Sequence, residues 1–139
     1  MIARVHEFGC TINVTPKMRK YLHGKGLHLK RAAGTIRIPE RSFIRAGYRE
    51  HKRKFVAHTK TMIVKAMNEK VNVDLVLDRL GTELEGNIQD YAVELRRPEN
   101  HPFTIQSKGS DNPLVDTGRM IDAITHKVEW VWEDLILVG

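Results

Sequence analysis

The stretch VDLVLDRLGTELEGNIQDYAVEL, residues 73–95, decides the fold, because Val76, Leu77, Leu80, Leu84, Ile88, Tyr91, Ala92 and Leu95 recur in it at spacings of three and four. That period lays them along one stripe of a helix, and Pro98 stands soon after its end. Upstream, Phe55, Thr59, Met62, Ile63, Ala66 and Met67 repeat the pattern over residues 48–70. Two long amphipathic helices joined by a short link predict an antiparallel helical hairpin. Gly81 and Gly86 each cost about 1 kcal/mol against alanine inside a helix, which marks them as places of close packing against another backbone.

Before the hairpin the period changes. Phe8, Cys10, Ile12 and Val14 alternate with Gly9, Thr11 and Asn13, as in a strand with one buried face. Ala3 and Val5 alternate in the opposite phase, which predicts a bulge near Glu7 to Gly9. Thr15 and Pro16 then supply an N-cap hydroxyl and a proline at the first helical position, with Met18, Tyr21 and Leu22 on one face and Gly24 ending the turn. Leu27 with Leu29, and Ile36 with Ile38, predict two short strands of a basic hairpin, closed by Pro39. Residues 40–47, ERSFIRAG, lead into the first long helix.

After the hairpin, residues 99–113 are rich in Asn, Pro, Ser, Gly and Asp and predict a long loop. Asp116 or Thr117 is placed to cap a short helix carrying Met120, Ile121 and Ile124, and Val128, Trp130 and Trp132 alternate as a final strand. The expected class is α+β: one domain, residues 1–139, with a small, largely antiparallel sheet packed against two long amphipathic helices, plus short capping helices.

The net charge of +6 is unevenly spread. From Lys17 to Lys54 there are thirteen Lys or Arg against two acids, Glu40 and Glu50, so this segment carries +11 and the rest −5. Such a segment can hold phosphate, meet an acidic protein or simply be solvated; Lys17, Arg19, Lys20, Lys25, Lys30, Arg31, Lys52, Arg53 and Lys54 are the candidate DNA-facing residues. No apolar run has the length of a membrane span and the N-terminus lacks a signal-peptide layout, so a soluble, cytoplasmically made protein without a membrane partner is expected. The single cysteine, Cys10, excludes an internal disulfide and a cysteine-based zinc site.

Within PLVDTG, residues 113–118, lies the Asp-Thr-Gly of an aspartic protease. Such an enzyme needs a flap and most of its fold after this motif, whereas twenty-one residues follow Gly118, and Arg119 would crowd a shared proton. Asp116 is therefore expected to be structural. The seven histidines show no metal-binding spacing, and neither catalytic residues, metal nor cofactor is expected.

Three stretches taken in order are more specific: VHEFG at 5–9, IPERSFIRAG at 38–47 and SKGSDNPLVDTGRMIDAITHKV at 107–128. Together they resemble the neck or tail-completion proteins (virion morphogenesis proteins) of tailed bacteriophages. Glu7, Phe8 and Gly9 match the first motif; Pro39, Arg41, Phe43 and Arg45 the second; Pro113, Asp116, Thr117, Gly118, Arg119, Ile124 and Val128 fall in the third. Ala123 stands where serine is usual, and Gly47 replaces the proline or other residue often found after the second motif. The resemblance implies a non-enzymatic virion protein at the neck or tail top, made in the host cytoplasm. It would assemble with itself as a homo-oligomeric ring and meet other neck, portal-complex or tail proteins, with room for non-specific contact with DNA in the channel. A tail terminator, a head-closure ring and, from another class, a basic nucleic-acid-binding module are the alternatives. From the residues themselves, Arg41, Phe43, Ile44 and Arg45 are the expected subunit contacts, two apolar anchors in a rim of Arg41, Arg45 and Arg49 facing the acids Asp78, Glu83, Glu85 and Asp90 of a neighbour's second helix; the alternative is that Phe43 and Ile44 seal the end of the helical pair.

Overall fold

The computed structural model describes residues 2–129. Its elements are α1 (Ile2–Phe8), β1 (Cys10–Asn13), α2 (Pro16–Gly24), β2 (Thr35–Ile38), α3 (Phe43–Glu69), α4 (Val73–Glu94), α5 (Pro102–Lys108) and α6 (Arg119–Asp122). This is a mixed α+β chain in which α3 and α4 pack along each other and the one sheet among the described residues has two antiparallel strands.

The helical pair follows from its apolar stripes. Lys70 ends α3 in a left-handed conformation, its amide bonded to the carbonyl of Ala66, and Asn72 caps α4 by accepting from the amide of Asp74 at 2.8 Å. The core falls into two clusters. One, at the base of the hairpin, joins Phe43, Ile88, Ala92, Leu114 and Ile121; the other, towards its tip, joins Ala66, Val76 and Leu80. At the base the helices approach closely at Gly47, where a β-carbon would lie 3.2 Å from Cβ of Tyr91. No helix among the described residues is long and apolar enough to cross a membrane.

Several expectations are corrected. Residues 2–8 form a helix, with Glu7 its buried residue, and Gly9 ends it at φ 67° instead of forming a bulge. The inward residue is a carboxylate, so apolar periodicity could not reveal this helix. Leu27 and Leu29 form no strand: the amide of Leu27 bonds back to Leu22, while the guanidinium of Arg19 takes the carbonyls of Leu29, Lys30 and Ala33. β2 instead pairs with β1, Cys10 opposite Ile38 and Thr11 opposite Arg37. Tyr21 points outward from α2.

The first long helix begins at Phe43, five residues earlier than expected. Residues 99–113 contain α5, started by His101 and Pro102 and closed by Gly109 at φ 71°. Gly118, itself left-handed at φ 80°, precedes α6, so neither Asp116 nor Thr117 is its N-cap. Gly81 meets a side chain of the same chain, and Gly86 faces open space. Val128 is not in a strand; the expected strand positions Trp130 and Trp132 lie outside the described residues.

Candidate functional site

Glu7 is 4% exposed, and its carboxylate serves the start of α3 from 37 residues upstream. Oε2 accepts from the amide of Ile44 at 3.0 Å, and Oε1 accepts from the amide of Arg45 at 3.1 Å and from its Nε at 2.9 Å. The local N-cap residue, Ser42, makes no side-chain bond, so Glu7 satisfies amides that would otherwise be orphaned, and the positive end of the helix favours its charge. Nη2 of Arg45 also donates to the backbone carbonyl of Glu7 and to Oε1 of Glu40, and the guanidinium lies 4.7 Å from the Phe8 ring centre. These carboxylates hold Arg45 above its usual pKa, the hydrogen bond to Glu7 contributing most. Gly9 completes the junction, since a β-carbon there would come within 2.9 Å of the Ile38 carbonyl and the Glu40 amide.

Arg41 turns the other way and is 4% exposed. Its amide bonds to the carbonyl of His6, while its guanidinium donates to the carbonyls of Pro98 and Glu99 and to Oδ1 of Asn100. All three acceptors are neutral, and burial lowers its pKa. Asn100 in turn donates to the carbonyl of Asn112, which Lys108 also reaches at 3.0 Å. Buried Asn112 accepts from the amides of Leu114 and Val115 at 2.8 and 2.9 Å and donates to the carbonyl of Val93 at the end of α4. Thus the three motifs form one connected polar node: Glu7 with Arg45, and Arg41 through Asn100 to Asn112 and the Pro113 segment.

Beside the node lies an open cleft of about 960 Å³, bordered by His6, Lys108, Asp116, Thr117, Gly118 and Arg119 over a floor that includes Phe43 and Leu114. Nδ1 of His6 is buried there without a hydrogen-bond partner. Burial, then the charges of Arg41 and Lys108, lower the pKa of His6. Asp116, Thr117 and Arg119 are exposed.

The expected interface cluster divides. Phe43 is completely buried in the chain's own core, and Arg41 is buried in the node, so neither presents a surface to a neighbour. Ile44 remains exposed, while Arg45 is engaged by Glu7 and Glu40. Three of the four acids expected to face it are also engaged internally. Glu83 pairs with His58 at 2.5 Å, while Glu85 and Asp78 hold the two ring nitrogens of His126 at 2.9 and 3.2 Å. The ring of His126 occupies the space left by Gly81, and hydrogen bonds to Glu85 and then Asp78 raise its pKa.

Of the basic residues, Arg19 is spent on loop carbonyls. Lys17, Lys20, Lys25, Lys30 and Arg31 are exposed around α2 and its following loop, whereas Lys52, Arg53 and Lys54 are exposed on α3. Asn112 and His126 were not singled out from the sequence. The Asn-Pro pair at 112–113 is a turn signal that points to the first; the second has no local signal, its partners being 41 and 48 residues away. Among the described residues no group of three or more His, Cys, Asp or Glu could hold a metal ion. No protein-family model, curated protein or solved structure matches the chain.

Proposed function

We propose that the chain is a structural, non-enzymatic subunit of a tailed-bacteriophage virion, a tail-completion protein that forms a ring with copies of itself at the neck. The observation that carries this reading is the node: three short motifs, spread over more than a hundred residues, are mutually dependent parts of one hydrogen-bonded junction.

The outer surface of the hairpin supplies adhesive material. Val56, Ile63 and Met67 share one face of α3, with Val64 beside it, and Val73 and Leu75 begin α4; all are exposed, Met67 by 76%. An exposed apolar strip of this kind suits a subunit contact, and a head-to-tail contact closes into a ring when its rotation permits.

Sedimentation of the purified chain over a range of concentrations, with electron microscopy of any assembled species, tests the reading. Rings are expected for the parent, and an Ile63→Glu, Met67→Glu variant should remain monomeric with an unchanged melting curve. A chain that stays monomeric throughout and fails to join particles lacking it would sink the proposal.

A further inference from the structure

We infer that the lobe formed by α2, the loop after it and the β1–β2 ribbon is a contact surface for the phosphate backbone of duplex nucleic acid. From Gly9 to Pro39 the sequence holds seven Lys or Arg and no Asp or Glu. Lys17, Lys20, Lys25, Lys30, Arg31 and Arg37 are all exposed, and among the described residues none of them lies in an ion pair. Their charge is therefore not neutralised within the chain.

The seventh cation explains how the others are displayed. Arg19 donates to the carbonyls of Leu29, Lys30 and Ala33 at 3.2, 3.0 and 2.6 Å, and Val14 donates to Gly34, so the loop carrying Lys30 and Arg31 is fixed before any ligand arrives. Lys17, Lys20 and Tyr21 share one face of α2 at helical spacing, and the ammonium of Lys25 stands 6.0 Å over the ring of Tyr21, which is 63% exposed. On the ribbon, Arg37 sits opposite Thr11.

Lysine predominates over arginine among the free cations, and lysine is depleted at protein–protein interfaces, whereas point charges suit phosphates. The chemistry thus favours nucleic acid over an acidic protein. Lys52, Arg53 and Lys54 belong to α3 and lie outside the surface. Point charges directed at phosphates carry no sequence information, so the expected binding is independent of sequence.

The test uses the full chain and a labelled 20-base-pair duplex of arbitrary sequence, followed by fluorescence anisotropy between about 50 and 200 mM salt. About five neutralised phosphates would weaken binding roughly 10²–10³-fold over that range. A Lys17→Gln, Lys20→Gln, Lys30→Gln variant should bind more weakly and lose about 2.7 from the salt slope, as should a Lys25→Gln, Arg31→Gln variant by about 1.8. A Lys52→Gln, Lys54→Gln variant should retain the parent's slope. The inference is overturned if the lobe variants bind as the parent does, if the α3 variant loses as much, or if poly-glutamate of equal charge competes as well as unlabelled duplex. None of these outcomes depends on whether the chain forms a ring.

Discussion

The imidazole of His126 lies so close over Gly81 that a β-carbon at Gly81 would collide with its Cδ2 and Cγ. One turn to either side on the same helix, Asp78 and Glu85 take its two nitrogens. A helical glycine, unfavourable by itself, is what lets the segment after α6 lie against α4.

A Gly81→Ala substitution should therefore separate two effects. Helix propensity improves by about 1 kcal/mol, while the ring loses its seat. The expected outcome is a melting temperature close to the parent's, with the His126 pKa returned towards 6.5 and faster proteolysis after Ile124. An unchanged His126 titration by NMR would show that the ring can keep both partners without the glycine.

Two histidines should shape the pH dependence of stability in opposite senses. The folded pKa of His126 is raised, so its contribution is complete below about 6.5 and disappears as pH rises through the folded value. The folded pKa of His6 is lowered by burial and by Arg41 and Lys108, so its contribution is complete above about 6.5 and disappears as pH falls through the folded value. Melting temperature against pH should flatten on the alkaline side in His126→Gln and on the acid side in His6→Gln. A curve unaltered by either variant would remove these groups from the account.

Removing the remote cap should be costly. Glu7→Ala leaves the part-buried Ile44 and Arg45 amides without their acceptor, a loss of about 2 kcal/mol in chemical denaturation. Glu7→Gln, which keeps an acceptor oxygen, should lose less. Equal stability of both variants and the parent would mean that water replaces the carboxylate.

The segment before α6 offers a contrast between two neighbouring polar residues. Asn112→Ala strips the acceptor from the Leu114 and Val115 amides and the donor from the Val93 carbonyl, and should cost about 2–3 kcal/mol. Asp116→Asn, at an exposed position, should stay within about 0.5 kcal/mol. The same denaturation series, run on both variants, distinguishes them; a larger loss at Asp116 would reverse the assignment of the structural residue.

The hairpin was legible because its inward residues are apolar and regularly spaced; Val76, Leu80, Ile88 and Ala92 are buried as their period requires, whereas on α3 the stripe holds only in part, Ala66 being buried and Ile63 and Met67 facing outward. α1 was not, because its buried residue is Glu7. The strand at Ile36 and Ile38 could be read, but not its partner, since pairing with Cys10 and Ile12 is a long-range choice. At the site, Glu7, Arg41 and Arg45 stood out by resemblance, while their physical roles depend on contacts made across 37 to 59 residues. Phe43 and Ile44 show the same limit: adjacent apolar residues at a helix start look alike in sequence, and only the packing decides that one is core and the other surface.

The division of the core into a basal and a distal cluster gives the hairpin the character of an arm whose reach is separable from its anchorage. The basal cluster and the polar node fix where the arm emerges; Ala66, Val76 and Leu80 hold its far end closed. Inserting one heptad into each helix between the two clusters would carry the tip outward by about 10.5 Å and keep both clusters, while giving up the Asp78–His126–Glu85 clamp that bridges the interval on α4. Span would then be tunable by insertion while the anchorage stayed constant.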